Sequence, residues 1–272
     1  MAEEIKSIAI ITKADSKEAE EAAARITRIL GPKNVVTYAV EPLAIENSRQ
    51  VKLEDLRRLN LDLAFAVGGD GTTLRAFRFI PYKTPLFSIN VGGNRGVLSE
   101  KGITSLDESI NSLLLGKYFR EARIRIQVSE GNTTFPPALN DIVLTRTNLT
   151  RTPMLSIKLL DDVIDHRMDG IIISTPTGST GHSFSVGGPV LYEKLETLLL
   201  CPIAPLNKMP NLVLPLDKVE LESSHDMSLV IDGQEVFNVA ARERLTITRH
   251  PHDAEFIRIR TRGIRQFDRL GF

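Results

Sequence analysis

Between residues 61 and 80 three features follow one another without a gap: an apolar run, Leu61–Val67, interrupted only by Asp62; the pentapeptide Gly68-Gly69-Asp70-Gly71-Thr72; and a stretch of helical spacing, Leu74–Ile80, closed by Pro81. A strand that turns through glycines straight into a helix is the start of a βαβ unit, and such a unit belongs in a parallel sheet with helices on its faces. The flanking sequence agrees. Ser7–Ile11 reads as a buried strand, and Ser16–Leu30 carries Ala19, Ala22, Ala23, Ile26, Ile29 and Leu30 at helical spacing before Gly31-Pro32 stops it. Asn34–Val40 and Pro85–Val91 read as further strands, the latter leading into Gly92-Gly93-Asn94-Arg95-Gly96, and Leu53–Leu59 reads as a short helix.

After about residue 100 the alternation stops. Leu106–Leu115 is one more helix, ended by Gly116, and beyond it the chain consists mostly of short β segments. These are Arg123–Val128, Ile142–Thr145, Met154–Leu160, Gly170–Ser174, Leu212–Leu214, Ser228–Val239 and Leu245–Arg249, with Leu191–Leu200 as the main helical exception. Asp232-Gly233 marks a tight hairpin. Phe256–Arg262 alternates apolar residues with Arg258, Arg260 and Arg262, as an exposed or edge strand does. The expected architecture is an α/β N-terminal domain with a parallel, Rossmann-like sheet over residues 1–103, and a β-rich, sandwich-like domain over 104–251. The 272 residues suffice for two domains.

Composition removes several classes of function. Lys plus Arg equals Asp plus Glu at 34 each, so charge-driven binding to nucleic acid or to a membrane surface is not expected. The 22 arginines against 12 lysines favour phosphate ligands weakly. The single cysteine, Cys201, excludes an intrachain disulfide and a cysteine-rich zinc site. No secretory leader and no membrane-length apolar run stands in the sequence, so a cytoplasmic protein is expected. The five histidines are scattered, and neither a metal cluster nor a catalytic triad is visible.

Three segments can carry chemistry. In Gly68–Thr72, glycines let a phosphate approach the backbone and the helix start favours an anion, while Asp70 could hold a metal or accept a proton from an attacking hydroxyl. Taken alone, the segment could also be a plain βα turn with Asp70 as its cap. Asn140-Asp141 offers donors and acceptors suited to ribose hydroxyls and base edges, or is a turn before a strand. Asp169–Pro189, DGIIISTPTGSTGHSFSVGGP, runs from an apolar strand into a loop dense in hydroxyls and glycine, able to line a polar ligand or to be a surface loop. A Walker A loop and a well-placed Gly-x-Gly-x-x-Gly are both absent.

In this order the three segments closely resemble the NAD kinase family, from about Leu61 to Gln234. The GGDG core alone also resembles lipid kinases and phosphofructokinases, which lack the TPTGST segment. The resemblance implies phosphorylation of the adenosine-ribose 2′-hydroxyl of NAD to give NADP, from ATP or polyphosphate, in a cleft between the domains. It implies that Asp70 is the general base, with Gly68, Gly69, Gly71 and Thr72 around it and Arg75 at a phosphate or NAD contact. It implies NAD contacts at Asn140, Asp141, Arg151, Thr180, Gly181, His182, Ser183, Phe184, Ser185 and Gln234. Arg167 and Asp169 match a pair that reaches the NAD of a neighbouring subunit, so a homodimer or homotetramer is implied. No protein metal ligands are implied; Mg²⁺ or another divalent cation comes on the donor phosphates. The tail, 252–272, is implied to pack back on the first domain. Gly96-Val97-Leu98 lacks the family's usual phenylalanine, His182 replaces a common tyrosine, and Pro202–Asn207 lacks a usual Pro-His pair, which suggests an archaeal-type member. Two other readings remain: a lipid or sugar kinase, and a dinucleotide-binding regulator without phosphoryl transfer.

Overall fold

The computed structural model describes residues 5–91, 96–101, 106–260 and 265–266. The chain forms two compact units, residues 1–122 with 254–272, and residues 123–253. The Gly92–Arg95 part of the glycine-rich stretch after Val91, the 103/104 boundary and most of the tail beyond Arg260 lie outside the described residues.

The first unit begins with β1 (Ser7–Thr12), α1 (Lys17–Leu30), β2 (Val36–Val40), β3 (Arg49–Val51) and β4 (Leu63–Val67). It continues through α2 (Asp70–Phe79), β5 (Leu86–Asn90), β6 (Glu100–Lys101), α3 (Leu106–Leu114) and β7 (Phe119–Arg123). Ser16 caps α1 by accepting the Ala19 N–H, and Ala19, Ala22, Ala23 and Ile26 form the helix's buried stripe, as the spacing requires. Residues 53–58 form a 3₁₀ helix, and α2 starts four residues earlier than its apolar spacing suggests. The first unit takes in residues 106–122, which the composition shift assigns to the second domain. The reason is packing: Leu106, Ile110 and Leu113 of α3 share a core with Ile8, Phe65 and Phe87.

The second unit is built from strands only, apart from short helical turns. Its strands are β8 (Ile126–Glu130), β9 (Thr133–Thr134), β10 (Asp141–Arg146), β11 (Met154–Leu159), β12 (Asp162–Arg167) and β13 (Gly170–Ser174). After the four-residue α4 (His182–Ser185) come β14 (Thr197–Ile203), β15 (Leu212–Pro215), β16 (Val219–Ser223), β17 (Met227–Ile231), β18 (Glu235–Val239) and β19 (Arg244–Arg249). They make two antiparallel six-stranded sheets, β15-β14-β13-β10-β17-β18 and β12-β11-β16-β19-β8-β9, around one apolar core.

Residues 191–200, expected to be helical, instead lead into strand β14. Leu198 and Leu200 point into the main core, while Leu199 and Cys201 pack on the opposite face with Val143, Ile172 and Leu191. A strand covered on both faces has an unbroken apolar run, which pattern alone cannot tell from a buried helix.

The chain then returns to the first sheet with β20 (Ala254–Arg258). That sheet has the order β3-β2-β1-β4-β5-β20-β7, with β6 also on β5, and the pairs through β5, β6 and β20 are parallel. The expected exposed or edge strand is therefore an interior one: Phe256 pairs with Leu86, and Phe256, Ile257 and Arg258 are all buried. Its alternating arginines mislead because Arg258 finds its partners inside the protein.

Asp62, the charge interrupting the apolar run before β4, ties that strand to the start of β1. Its Oδ2 accepts the Lys6 N–H (2.9 Å), the Ser7 N–H (2.8 Å) and the Ser7 hydroxyl (3.1 Å). Burial pushes this carboxyl up, but these donors outweigh it and hold it below the ordinary aspartate value. A depressed folded value stabilises above the unfolded value and is lost as pH falls through the folded one. Asp62→Asn is expected to cost about 1 kcal/mol in urea denaturation at pH 7, with the difference closing below about pH 4. No helix among the described residues is long and apolar enough to cross a membrane.

Candidate active site

In the first sheet β2 lies on one side of β1 and β4 on the other, so the chain's direction of progress reverses between β1 and β4. Ligands of open α/β sheets bind beyond the carboxyl ends of the strands at such a point. Gly68–Thr72 leaves β4 there, and Lys13 leaves β1 beside it, its N–H on the Val67 carbonyl (2.8 Å). Gly69 is the N-cap of α2 and Asp70 its first residue, which puts a carboxylate at the positive end of the helix dipole. A Cβ on Gly69 would meet nothing within 4 Å, so its surroundings are open, whereas Gly68 is buried against Thr72 and Lys13. Gly71 is exposed and Thr72 buried.

The Asp70 carboxylate is held by the backbone. Oδ2 accepts the Val97 N–H and Oδ1 the Leu98 N–H, both at 3.1 Å. This approach requires glycine at 96, because a Cβ there would lie 2.9 Å from Asp70 Oδ1 and 2.7 Å from the Ser99 hydroxyl. The tripeptide noted for its missing phenylalanine thus acts on Asp70 through main-chain N–H groups, which valine supplies equally well. Arg75 turns toward β1: its Nη2 donates to the Thr12 carbonyl at 2.6 Å, and its Nε is buried with no hydrogen-bond partner among the described residues.

In the second unit, three of the predicted segments form one hydrogen-bonded cluster. The Asn140 carbonyl accepts the Thr175 N–H (2.8 Å) and the Ser174 hydroxyl (3.1 Å), and Thr175 Oγ1 donates to the Leu139 carbonyl (2.5 Å). Gly178 sits so close that a Cβ would be 2.2 Å from the Asn140 carbonyl oxygen, so only glycine fits. The third segment is the hairpin between β17 and β18, as Asp232-Gly233 predicts, with both residues at positive φ (51° and 65°). The Asp232 carboxylate accepts the N–H groups of Leu139 (3.1 Å), Asn140 (2.7 Å) and Asp141 (3.2 Å), while its own N–H donates to the Asp141 carbonyl (2.9 Å). Asp232 is thus the residue that sequence reasoning passed over. The available signal was an aspartate in a glycine-rich hairpin, read only as turn chemistry.

Within this cluster Asn140 is half-buried, Asp141 is buried and Gln234 is exposed. A Cβ on Gly181 would lie 3.8 Å from Asp141 Oδ2, so that glycine borders the carboxylate. The 3₁₀ turn Thr177–Thr180 buries two hydroxyls, Thr177 Oγ1 and Thr180 Oγ1, with no hydrogen-bond partner among the described residues. Ser183 is buried and its hydroxyl is on the Gly178 carbonyl (3.3 Å), so it holds the turn. His182, Phe184 and Ser185 are exposed, and the Ser185 hydroxyl donates to the His182 carbonyl (2.6 Å).

Arg151, Arg167 and Asp169 are placed elsewhere. Asp141 pairs with Ser174 and Thr145 with Gly170, so Asp169 lies at the other end of β13, about 16 Å of strand away. Its carboxylate pairs with Arg146 (2.9 Å), which the sequence did not single out, and not with Arg167, whose Nη1 donates to the Thr152 carbonyl (3.1 Å). Arg151 and Arg167 are exposed. Among the described residues no three His, Cys, Asp or Glu side chains group so as to hold a metal ion.

Comparison with known proteins bears on this geometry. Residues 8–118 match the family described as the ATP-NAD kinase N-terminal domain, and residues 139–259 the ATP-NAD kinase C-terminal domain. The chain is 31% identical over 264 residues to an NAD kinase of Thermococcus sibiricus, covering 93% of this chain and 94% of that one. It is 32% identical over 261 residues to an NAD kinase of Methanothermobacter thermautotrophicus, covering 93% and 91%. Among solved structures, an Archaeoglobus fulgidus NAD kinase in complex with ATP superposes with a TM-score of 0.76 at 26% identity, covering 92% of each chain. A yeast NADH kinase complexed with NADH superposes at 0.86 and 20% identity, covering 99% of this chain and 88% of that one, a likeness of fold.

Proposed function

The chain belongs to the NAD kinase family, and from that premise we propose that it transfers the γ-phosphoryl group of ATP to the adenosine-ribose 2′-hydroxyl of NAD with Asp70 as general base. The 2′-oxygen forms a bond to the γ-phosphorus as the bond to the β,γ-bridging oxygen breaks; the hydroxyl proton passes to an Asp70 oxygen, and ADP and NADP leave. The observation that carries this reading is the Asp70 carboxylate, fixed by two backbone N–H groups at the head of α2, beside a glycine with open surroundings. A carboxylate so placed is poor design for a site that merely binds phosphates, because it repels them; as a proton acceptor it has a purpose.

The reading gives NAD to the cluster of Asn140, Asp141, Thr177, Thr180 and Gln234. The two threonine hydroxyls without a partner among the described residues, and the Asn140 amide, suit a ribose or a nicotinamide carboxamide. Thr177 enters on the same ground as Thr180. A divalent cation, when bound, would enter on the donor phosphates and supply charge neutralisation there. ATP is preferred over polyphosphate because the Archaeoglobus fulgidus relative is complexed with ATP. Arg167 and Asp169, the latter far along β13 from the rest, are read as serving the NAD of a neighbouring subunit in a homodimer or homotetramer, and Arg151 as a further NAD contact.

The test is an incubation with NAD, Mg²⁺ and either ATP or polyphosphate, coupled to an NADP-specific dehydrogenase, on a preparation sized by sedimentation. NADP formation with ATP by a dimer or tetramer is expected. Binding of NAD without any NADP formed would favour the regulator reading, and activity on diacylglycerol or hexose the other kinases.

A further inference from the structure

Arg258 has no place in the reaction as written. It closes β20 and has no accessible surface, although arginine is almost never fully buried without partners. Its Nε donates to Glu121 Oε1 (3.0 Å), its Nη1 lies 3.5 Å from Glu100 Oε1, and its guanidinium lies over the Phe256 ring, 4.3 Å from the centroid. Arg265 also pairs with Glu100, at 2.8 Å. A buried ion cluster is weak ground for stability, because desolvation offsets much of the attraction and apolar replacements often fold as well. What distinguishes Arg258 is a further bond: Nη1 donates to the Leu98 carbonyl at 2.7 Å. Leu98 is the residue whose N–H holds Asp70 Oδ1.

We infer that Arg258 is a positioning residue that fixes the Val97-Leu98 backbone and, through its two N–H groups, the orientation of the Asp70 carboxylate. The planar guanidinium suits the task, since its nitrogens reach the Leu98 carbonyl and Glu121 at once, which the point charge of a lysine cannot do. A base must stand within hydrogen-bond reach of the hydroxyl it deprotonates, and a displacement of about 1 Å can cost about 10²-fold in rate. The inference rests on the reading of Asp70 as the base, and the experiment keeps the two apart.

Turnover with ATP and NAD is measured for the wild-type enzyme, Arg258→Lys, Asp70→Asn and the double variant, with thermal unfolding of each. Arg258→Lys keeps a cation for the two glutamates, so it preserves the fold better than a neutral residue does. Should it fail to fold, Glu121→Gln removes charge from the other side of the cluster and takes its place. The expected result is a fall in kcat of roughly 10- to 100-fold with KM for NAD within about twofold. In the Asp70→Asn background the same substitution is expected to cost less than about twofold, because its effect passes through a carboxylate that is no longer there. An equal loss in both backgrounds, a rise in KM alone, or wild-type kcat in the single variant would overturn the positioning role. Near-normal turnover of Asp70→Asn by itself would overturn the base assignment instead.

Discussion

Asp70→Asn is expected to lower the rate of NADP formation by about 10²–10⁴-fold while NAD binds with nearly unchanged affinity. The substitution keeps the volume and removes the proton acceptor. It also disturbs the local geometry in a calculable way. The carboxylate accepts one N–H on each oxygen, from Val97 and Leu98. An amide offers one acceptor oxygen, and its NH₂ faces the second backbone donor, so one of these bonds is lost. That loss destabilises by roughly 1–2 kcal/mol, small enough for the variant to fold. Affinity for NAD, measured calorimetrically, should hold because the residues proposed to bind it, Asn140, Asp141 and Thr180, belong to the other unit. Turnover within threefold of wild type in a folded variant would exclude proton acceptance by Asp70.

The second large effect belongs to Asp232. Its carboxylate takes the N–H groups of Leu139, Asn140 and Asp141, so a single side chain defines the path of the segment that presents Asn140 and Asp141. Asp232→Ala leaves these donors facing a methyl group. Each buried donor left unpaired costs roughly 1–3 kcal/mol, and with partial relaxation the total is expected at about 3–5 kcal/mol. A residue at φ 51° adds to this, since alanine tolerates the left-handed region less well than aspartate does. Asp232→Asn separates the terms: it keeps the backbone preference and one oxygen for the two bonds that share Oδ1, from Asn140 and Asp141, so it should cost roughly 1–2 kcal/mol. Both are read by urea denaturation. In whatever fraction folds, KM for NAD should rise about tenfold or more in the alanine variant, with kcat less affected, because Asp232 acts on the residues proposed to bind NAD. An unchanged KM would mean that Asn140 and Asp141 do not hold NAD.

The features that sequence reasoning recovers are those encoded locally. The βα turn of Gly68–Thr72, the capped helix α1 and the Asp232-Gly233 hairpin depend on a few adjacent residues, so their pattern is sufficient. The spacing of Asn140-Asp141 and the Thr175–Gly181 segment along the chain hides their contact, but their placement at adjoining ends of β10 and β13 follows once the strands pair in antiparallel register. What stays hidden depends on distant partners. Residues 191–200 mislead because both faces of β14 are covered. Strand β12, Asp162–Arg167, is missed because it lies at a sheet edge with mostly exposed side chains and little alternation. Arg258 looks like a surface residue because nothing near it in sequence announces Glu121 or Glu100. Asp169 looks like the partner of Arg167 by proximity, yet the strand register gives it Arg146. Residues that position others carry no motif of their own, which is why Asp232 and Arg258 emerge only from the structure.

The place of β20 also has a meaning for how the protein is made. A ribosome delivers residues 1–122 first and 123–253 next, and the second stretch can close both of its sheets on itself as it emerges. The first unit has to wait, because the strand that joins β5 to β7 comes almost last. Until then, β7 and the part of β5 not paired with β6 present open edges to the nascent chain's surroundings, where chaperones act and off-pathway strand pairing begins. The same strand brings Arg258 to the Leu98 carbonyl. A chain cut short by premature termination would therefore carry every residue of the GGDGT turn and of the Asn140–Gln234 cluster and still lack both the strand between β5 and β7 and the Arg258 hydrogen bond to Leu98.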